Sequence, residues 1–145
     1  YSFHVMIRYE IEKMIFAGEV KVKDLPAIWN QKYEEYLGVT PLSDAEGVLQ
    51  DIHWAGGMFG YFPSYALGSA IAAQLFHHME SIMPMKQYLE EGNLAPIREY
   101  LREHIHQYGG AKKTQQILMD TTGEGFNPDY YIAYLTEKFT KLYEL

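Results

Sequence analysis

The chain has 145 residues, of which 48% are apolar and 15% aromatic, and its net charge at pH 7 is -7. This length and apolar content are sufficient for one globular domain with a packed core. The 19 acidic side chains outnumber the 12 basic ones, so the chain would repel a phosphate backbone and a nucleic acid is disfavoured as a partner. The absence of cysteine excludes disulfides and thiolate metal sites and is compatible with a cytoplasmic location.

Two features of the sequence bear on its cellular context. The longest apolar segment, residues 65–76, falls well short of the ~20 residues that a helix needs to cross a bilayer, so no membrane partner is expected. The N-terminus lacks the apolar run of a signal peptide and begins without methionine. We therefore expect the chain to be part of a longer protein.

Apolar residues recur with helical periodicity over nearly the whole chain. The first predicted helix covers residues 4–17 and ends at a glycine. The second covers residues 24–38, with an aspartate as its cap and a proline in its first turn. Ser43 and Glu46 are spaced as a capping box, which predicts a third, short helix that ends near Asp51.

Glycines and a proline argue against helix beyond that point, so we expect an irregular loop at residues 52–63. A long helix is predicted to follow over residues 64–83. Three further helices are predicted at residues 93–109, at residues 112–120, and from residue 127 onward. An apolar stripe on the last helix is expected to dock the C-terminus. The fold is predicted to be all-α, a compact single domain over residues 1–145.

Four of the six histidines occur as two close pairs, and neither pair has the spacing of a helical metal site. His77 and His78 would point about 100° apart on a helix, and His104 and His106 would diverge by about 200°. Two zinc ligands on one helix need a spacing of four residues. We therefore predict no metal ligand in this chain.

The segment around His53 differs from the rest because polar side chains gather there beside glycines. Gln50, Asp51 and Trp54 surround the histidine, and an Ala-Gly-Gly turn follows, where a backbone can pass close to a ligand. An imidazole there is able to donate a hydrogen bond to a substrate carbonyl, and a phenol such as Tyr65 to a developing oxyanion. A local turn network with ordinary core aromatics explains the same residues equally well, so composition and spacing leave both interpretations open.

Residues 47–54 read GVLQDIHW, which matches the pattern GxxQDxHW at every fixed position. On this motif the chain resembles the family of thermostable metallocarboxypeptidases, which is itself similar to the helical HExxH peptidases. The segments HVMIRYEIEK, WNQKYEEYLGVTP and GYFPSYALG also look like that family, so the resemblance covers essentially the whole chain. It corresponds to the C-terminal part of such an enzyme.

The resemblance implies roles for the residues of this segment. Tyr65 is expected to stabilise the oxyanion and His53 to donate to the substrate carbonyl. Phe62 stands where related oligopeptidases carry a tyrosine, so it lacks their hydroxyl donor. Tyr61, one residue earlier, would replace that donor only if the loop is rotated. Trp54, like Tyr61, is expected to contact the substrate or to support the catalytic groups.

Gln50 and Asp51 are expected to hold the loop and to orient His53 or a metal-binding histidine from outside the chain. Simple hydrogen bonding at a helix end is the alternative for both residues. Arg8 is expected to form a structural ion pair with Glu10 or Glu12.

For the complete enzyme the resemblance implies a metal-dependent carboxypeptidase that releases C-terminal amino acids from peptides. It would use one divalent ion, zinc or cobalt, whose HExxH ligands lie in a missing N-terminal part, and it would form a homodimer. This chain contains no HExxH motif, so we expect it to be inactive and metal-free by itself. The alternatives are a helical interaction or dimerisation module, and part of an oligopeptidase of the wider group.

Overall fold

The computed structural model describes residues 1–145 and contains helices and turns without any strand. The predicted all-α class is confirmed. The α-helices are α1 Ser2–Phe16, α2 Leu25–Leu37, α3 Ile52–Ala55, α4 Pro63–Ile82, α5 Met85–Glu90, α6 Ala95–His104, α7 Thr114–Thr122 and α8 Asp129–Tyr143. Three 3-10 turns, Val22–Asp24, Val48–Gln50 and His106–Tyr108, lie between them. No helix combines the length and the apolar character that a membrane span requires.

The chain divides into two compact units, residues 1–67 and residues 68–145, with the division inside α4. The first unit contains α1, α2, the start of α4 and the segment with the GxxQDxHW motif, residues 47–54, which is called the motif segment below. The second contains the remainder of α4 and the helices that follow. The assignment of the whole chain to a single domain stays a prediction.

The core of the first unit forms where α1 packs against α2. Ile7 and Ile11 of α1 are fully buried and contact Trp29 and Tyr33 of α2. Each pair is spaced by four residues, so each helix presents its two side chains from one face. The Trp29 and Tyr33 rings stack with centroids 4.9 Å apart. Gly38 ends α2 in the left-handed conformation at φ 66°, which glycine adopts without steric cost.

Two local predictions near the motif need correction. The Glu46 backbone N–H does donate to Ser43 Oγ at 3.4 Å, but turns and a 3-10 turn follow in place of the predicted short helix. The reason is Gly47, whose φ of -105° and ψ of -119° lie outside the helical region. The predicted irregular loop is also shorter than expected, because residues 52–55 form the helical turn α3.

The second unit follows the predicted order of helices with two differences. The sequence pattern did not reveal α5, and α6 ends at His104 before the 3-10 turn. Its most buried polar side chain is Gln74 of α4, which is 1% exposed. The Gln74 amide donates to the Gly125 carbonyl at 2.9 Å and accepts from the Asn127 backbone N–H at 3.0 Å. This side chain therefore fixes the loop that precedes α8.

The last helix departs from prediction in its packing. An apolar stripe that includes Tyr131, Leu135, Phe139 and Leu142 does occur on α8, but no residue of this helix is buried. The prediction that the stripe docks the C-terminus is therefore wrong for this chain. Helical periodicity identifies an apolar face but not what covers it.

Candidate active-site wall

The motif segment is shaped by Asp51, which caps the helical turn α3. One carboxylate oxygen of Asp51 accepts the Trp54 backbone N–H at 2.8 Å, which satisfies one of the free donors at the start of the turn. The other oxygen accepts the Arg8 Nε–H at 2.6 Å. The Asp51 side chain is 0% exposed. Its carboxylate therefore joins the turn that carries His53 to helix α1.

The two predicted catalytic side chains lie beside each other. His53 Nε2 is 3.3 Å from the Tyr65 hydroxyl, a hydrogen bond whose direction depends on the histidine tautomer. Tyr65 lies in the first turn of α4 and remains 39% exposed, and His53 is partly buried. A phenol and an imidazole in mutual contact at an accessible surface can both present polar hydrogen atoms to a bound carbonyl.

Aromatic rings define the position of His53. Tyr61 stacks on the imidazole with centroids 5.8 Å apart, and Phe62 meets it edge-on at 5.0 Å. Phe62 is buried, whereas Tyr61 is 51% exposed. Phe62 therefore acts as a packing surface behind the imidazole, and the phenol of Tyr61 remains at the accessible side.

The Tyr65 phenol has a raised pKa. Partial desolvation of the hydroxyl is the main cause, and the neighbouring phenols of Tyr61 and Tyr1 add to it. Each of these effects disfavours the phenolate. A phenol ordinarily carries its proton at neutral pH, and the direction of this shift preserves the Tyr65 hydroxyl as a hydrogen-bond donor.

Gln50 and Trp54 occupy different environments. The Gln50 side chain is exposed and its amide donates to the Ala45 carbonyl, so it stabilises the turn before the motif and makes no recorded contact with His53. Trp54 packs at the edge of the α1–α2 core, where its ring meets the Trp29 ring edge-on at 5.9 Å. Its indole N–H donates to Glu12 at 2.7 Å.

Arg8 forms the predicted structural ion pair, but with a different partner. Its guanidinium bonds to Asp51, whereas Glu10 accepts from Lys32 and Tyr36, and Glu12 accepts from Trp54 and the loop backbone. The expected pairing with Glu10 or Glu12 is therefore wrong. A signal for this existed in the sequence, because Arg8 and Glu12 each directly follow a core isoleucine on the same helix and so border the buried face.

The residues of this chain do not by themselves form a metal centre. No three His, Asp or Glu side chains converge in a way that could hold an ion. Of the paired histidines, His77 lies against the Tyr130 ring at 4.7 Å, and His104 stacks on the Tyr100 ring at 4.2 Å.

Comparison with known proteins identifies the family to which this chain belongs. Residues 1–139 match the family described as Carboxypeptidase Taq (M32) metallopeptidase. The chain belongs to this family, as the GxxQDxHW motif had indicated. Carboxypeptidase 1 of Bacillus subtilis (strain 168) is 55% identical over 146 residues, an alignment that includes 100% of this chain and 29% of that protein.

Solved structures of the family have the same fold. Trypanosoma cruzi metallocarboxypeptidase 1 matches with a TM-score of 0.91 and 40% identity, over 96% of this chain and 30% of that one. The M32 carboxypeptidase from Deinococcus radiodurans R1 matches with a TM-score of 0.94 and 29% identity, over 100% of this chain and 30% of that one. The aligned region is the C-terminal part of those structures. The chain therefore spans about 30% of the length of these relatives.

Proposed function

We propose that this chain is the C-terminal wall of the active-site cleft of a metal-dependent carboxypeptidase, and that Tyr65 and His53 are the groups on this wall that act on the substrate. The observation that carries the proposal is the 3.3 Å contact between His53 Nε2 and the Tyr65 hydroxyl on a segment that bears the family motif. Membership of a metallopeptidase family supports the reaction class.

In this proposal the reaction is hydrolysis of the last peptide bond of a peptide. Attack of water on the carbonyl carbon places negative charge on the carbonyl oxygen. The Tyr65 hydroxyl, which is protonated at neutral pH as a phenol ordinarily is, donates a hydrogen bond to that oxygen. His53 donates to a carbonyl of the bound peptide and so orients the chain for attack.

The contact between the two side chains adds a condition to this mechanism. When Nε2–H of His53 donates to the Tyr65 oxygen, the phenol hydrogen is the group that would donate to the substrate oxyanion. The same Nε2–H cannot serve Tyr65 and a substrate carbonyl at once. Substrate binding would therefore exchange the bond between the two side chains for two bonds to the peptide.

The remaining residues of the motif support this pair. Asp51 fixes the turn that carries His53, and Trp54 anchors the same turn to α1. Gln50 secures the preceding turn, and Tyr61 covers the imidazole on its accessible side and would contact the bound peptide. We place the contribution of Gln50, Asp51 and Trp54 in holding the geometry.

The metal of the complete enzyme is proposed to be one divalent ion, zinc or cobalt, with all of its ligands outside this chain. Such an ion would polarise the scissile carbonyl and lower the pKa of a bound water. Because the chain has no site of its own for an ion, we expect the isolated chain to be inactive. Tight binding of one zinc ion and peptide cleavage by residues 1–145 alone would contradict this part of the proposal.

The experiment that tests the proposal compares the wild-type enzyme that contains this chain with Tyr65→Phe, after loading with zinc or cobalt. Release of free C-terminal amino acids should fall by about 100-fold in kcat with little change in KM, because the lost hydrogen bond forms only in the transition state. Tyr143→Phe, which removes the hydroxyl of an exposed tyrosine on α8, is the matched control and should retain full turnover. Unchanged turnover in Tyr65→Phe would overturn the assigned role.

A second candidate is a helical interaction or dimerisation module, and a specific observation favours it. Large apolar side chains are exposed on α1, including Phe3, Met6 and Tyr9.

We propose that the complete enzyme is a cytoplasmic homodimer. Its mass in solution, measured by light scattering, should equal two chains. A dimer without any peptidase activity in the metal-loaded enzyme would favour the module.

The third reading, an oligopeptidase, differs only in which bond is cut. A carboxypeptidase releases single amino acids from a free C-terminus and is blocked by C-terminal amidation of the peptide. An oligopeptidase releases shorter peptides and tolerates amidation. Mass spectrometry of the products of one peptide in its free-acid and amidated forms separates these two.

A further inference from the structure

Two charged side chains on α1 reach both ends of the segment that carries His53. Arg8 donates from Nε to Asp51 at 2.6 Å, immediately before the helical turn α3. Glu12 accepts the Trp54 indole N–H at 2.7 Å and the Gly60 backbone N–H at 2.9 Å, on the far side of the loop. Arg8 and Glu12 are four residues apart and therefore lie one turn apart on one face of α1.

The Arg8 guanidinium is itself tightly held. Its central carbon lies 4.6 Å from the centre of the Trp29 ring and 4.3 Å from the centre of the Phe62 ring. Its Nη1 donates to the Tyr33 hydroxyl at 3.3 Å and to the His4 carbonyl at 3.2 Å. A guanidinium that lies close to two rings and donates to Asp51, Tyr33 and His4 has little freedom to rotate, so the Asp51 carboxylate that it holds is fixed as well.

The same contacts converge on His53 from two directions. Asp51 holds the backbone beneath His53 by capping its helical turn. Phe62, whose ring lies over Arg8, also packs edge-on against the imidazole at 5.0 Å. Between Asp51 and Phe62, the Glu12 carboxylate accepts hydrogen bonds from both Trp54 and Gly60 and so holds the loop against α1.

Burial makes this arrangement more than a chance surface contact. Arg8 is 7% exposed, Glu12 is 5% exposed and Asp51 is 6% exposed. A buried ion pair is often no more stable than an apolar pair of equal volume, because both charges lose their hydration. Beyond stability, these three side chains fix the orientation of the groups that they bind, since each hydrogen bond constrains an angle as well as a distance.

We propose that Arg8 and Glu12 are positioning residues that hold the His53 imidazole against the Tyr65 hydroxyl, Arg8 by fixing the start of α3 through Asp51 and Glu12 by fixing α3 and the loop that follows it. The proposal rests on the proposed catalytic role of His53 and Tyr65. Neither Arg8 nor Glu12 touches the substrate, and their effect on the reaction passes entirely through His53.

A double-mutant cycle in the complete metal-loaded enzyme tests this. Glu12→Gln keeps the size of the side chain but replaces one acceptor oxygen by an amide that faces a donor. We expect kcat to fall about tenfold with KM nearly unchanged, because the imidazole is displaced and not removed. In an enzyme that already carries His53→Ala, the same change should cause no further loss of kcat. Equal losses in both backgrounds would overturn the proposal.

Glu10→Gln is the matched control, because Glu10 lies on the same helix and bonds to Lys32 and Tyr36, away from the loop. It should leave kcat unchanged. Arg8→Lys provides an independent variant if Glu12→Gln does not fold. It keeps the charge but lacks the planar guanidinium with its separate Nε and Nη1 donors. Its loss of kcat should likewise vanish in the His53→Ala background.

The NMR signals of the His53 ring give a readout that does not depend on catalysis. Glu12→Gln should shift the His53 ring nitrogen signals and the Trp54 indole N–H, and Glu10→Gln should shift neither. A shifted His53 signal combined with full activity of His53→Ala would retain the positioning and remove the proposed catalytic role. A His53 signal that does not move in Glu12→Gln would overturn the positioning itself.

Discussion

The two compact units of the chain use buried polar side chains in different ways. In residues 1–67, Arg8, Glu12 and Asp51 are buried together and connect α1 to the motif segment. In residues 68–145, the largest buried polar side chain is Gln74, a neutral amide that binds loop backbone. The charged contacts of this second unit, such as that between Lys112 and Asp120, lie at the surface.

The buried charged side chains therefore occur in the unit that carries the predicted catalytic residues, His53 and Tyr65. Buried charges cost hydration, so they persist where a defined geometry offsets that cost. In the first unit, the buried Asp51 caps the turn that carries His53, and His53 contacts Tyr65. In the second unit the buried polar side chains are neutral, those of Gln74 and Thr121. We therefore expect substitutions of buried polar residues to affect stability most strongly in the first unit.

The largest effect is expected for Asp51→Asn. The asparagine can still accept the Trp54 N–H, but its amide cannot neutralise the buried Arg8 guanidinium. Removing one partner of a buried ion pair costs about 3–5 kcal/mol. The midpoint of urea unfolding of the complete enzyme, followed by tryptophan fluorescence, should fall accordingly. A midpoint within error of the wild type would show that Arg8 finds another partner, and the contrast between the units would be lost.

A smaller effect is expected for Gln74→Ala in the second unit. The change leaves the Gly125 carbonyl and the Asn127 N–H without their partner in a partly buried setting. Such a loss typically costs about 1–3 kcal/mol for a neutral group. The matched control is Gln87→Ala, where the exposed amide bonds only to Glu91. If Gln74→Ala destabilised as strongly as Asp51→Asn, neutral and charged burial would be equivalent here.

Much of the architecture was accessible from the sequence because it depends on periodicity and on helix ends. Gly38 and the prolines marked helix boundaries within one or two residues, and the fixed positions of GxxQDxHW identified the family. What escaped prediction depends on contacts between distant residues. The Arg8–Asp51 pair spans 43 positions, and periodicity carries no information about which carboxylate a buried arginine will meet.

The site was only partly accessible for the same reason. The residue types of His53 and Tyr65 indicate what each group can donate, and the motif supplies the spacing. Their 3.3 Å contact requires α3 and α4 to turn toward each other, which depends on the cap made by Asp51 and on packing around Phe62. The roles predicted for His53 and Tyr65 stay predictions until the variants are measured.

A pH-dependent effect is expected at His4, at the edge of the first unit. Burial, followed by the positive charge of Arg8, lowers the pKa of the His4 imidazole below its ordinary value of 6.5. Below pH 6.5 the unfolded chain therefore binds a proton before the folded chain does, and stability falls with pH until the folded pKa is passed. His4 Nδ1 also lies within hydrogen-bond distance of the Tyr33 hydroxyl, at 3.0 Å.

The His4 effect can be isolated with His4→Gln, which cannot titrate. The difference in urea midpoint between wild type and His4→Gln should change in favour of the variant as the pH falls from 8 to 5. A difference that stays constant over this pH range would show that the burial of His4 has no effect on its titration.

The smallest effect is expected at the surface of the second unit, for Asp120→Asn. The Lys112 ammonium lies 2.8 Å from Asp120, and this bond, with that from Gln116, lowers the pKa of the Asp120 carboxyl. Solvent and salt screen an exposed pair, and ordering two mobile side chains offsets much of the attraction. The unfolding midpoint should therefore match the wild type at physiological salt, in contrast to Asp51→Asn, although both changes remove one carboxylate from an ion pair. If the two substitutions destabilised equally, burial would not be what distinguishes the charged groups behind His53 from those at the surface.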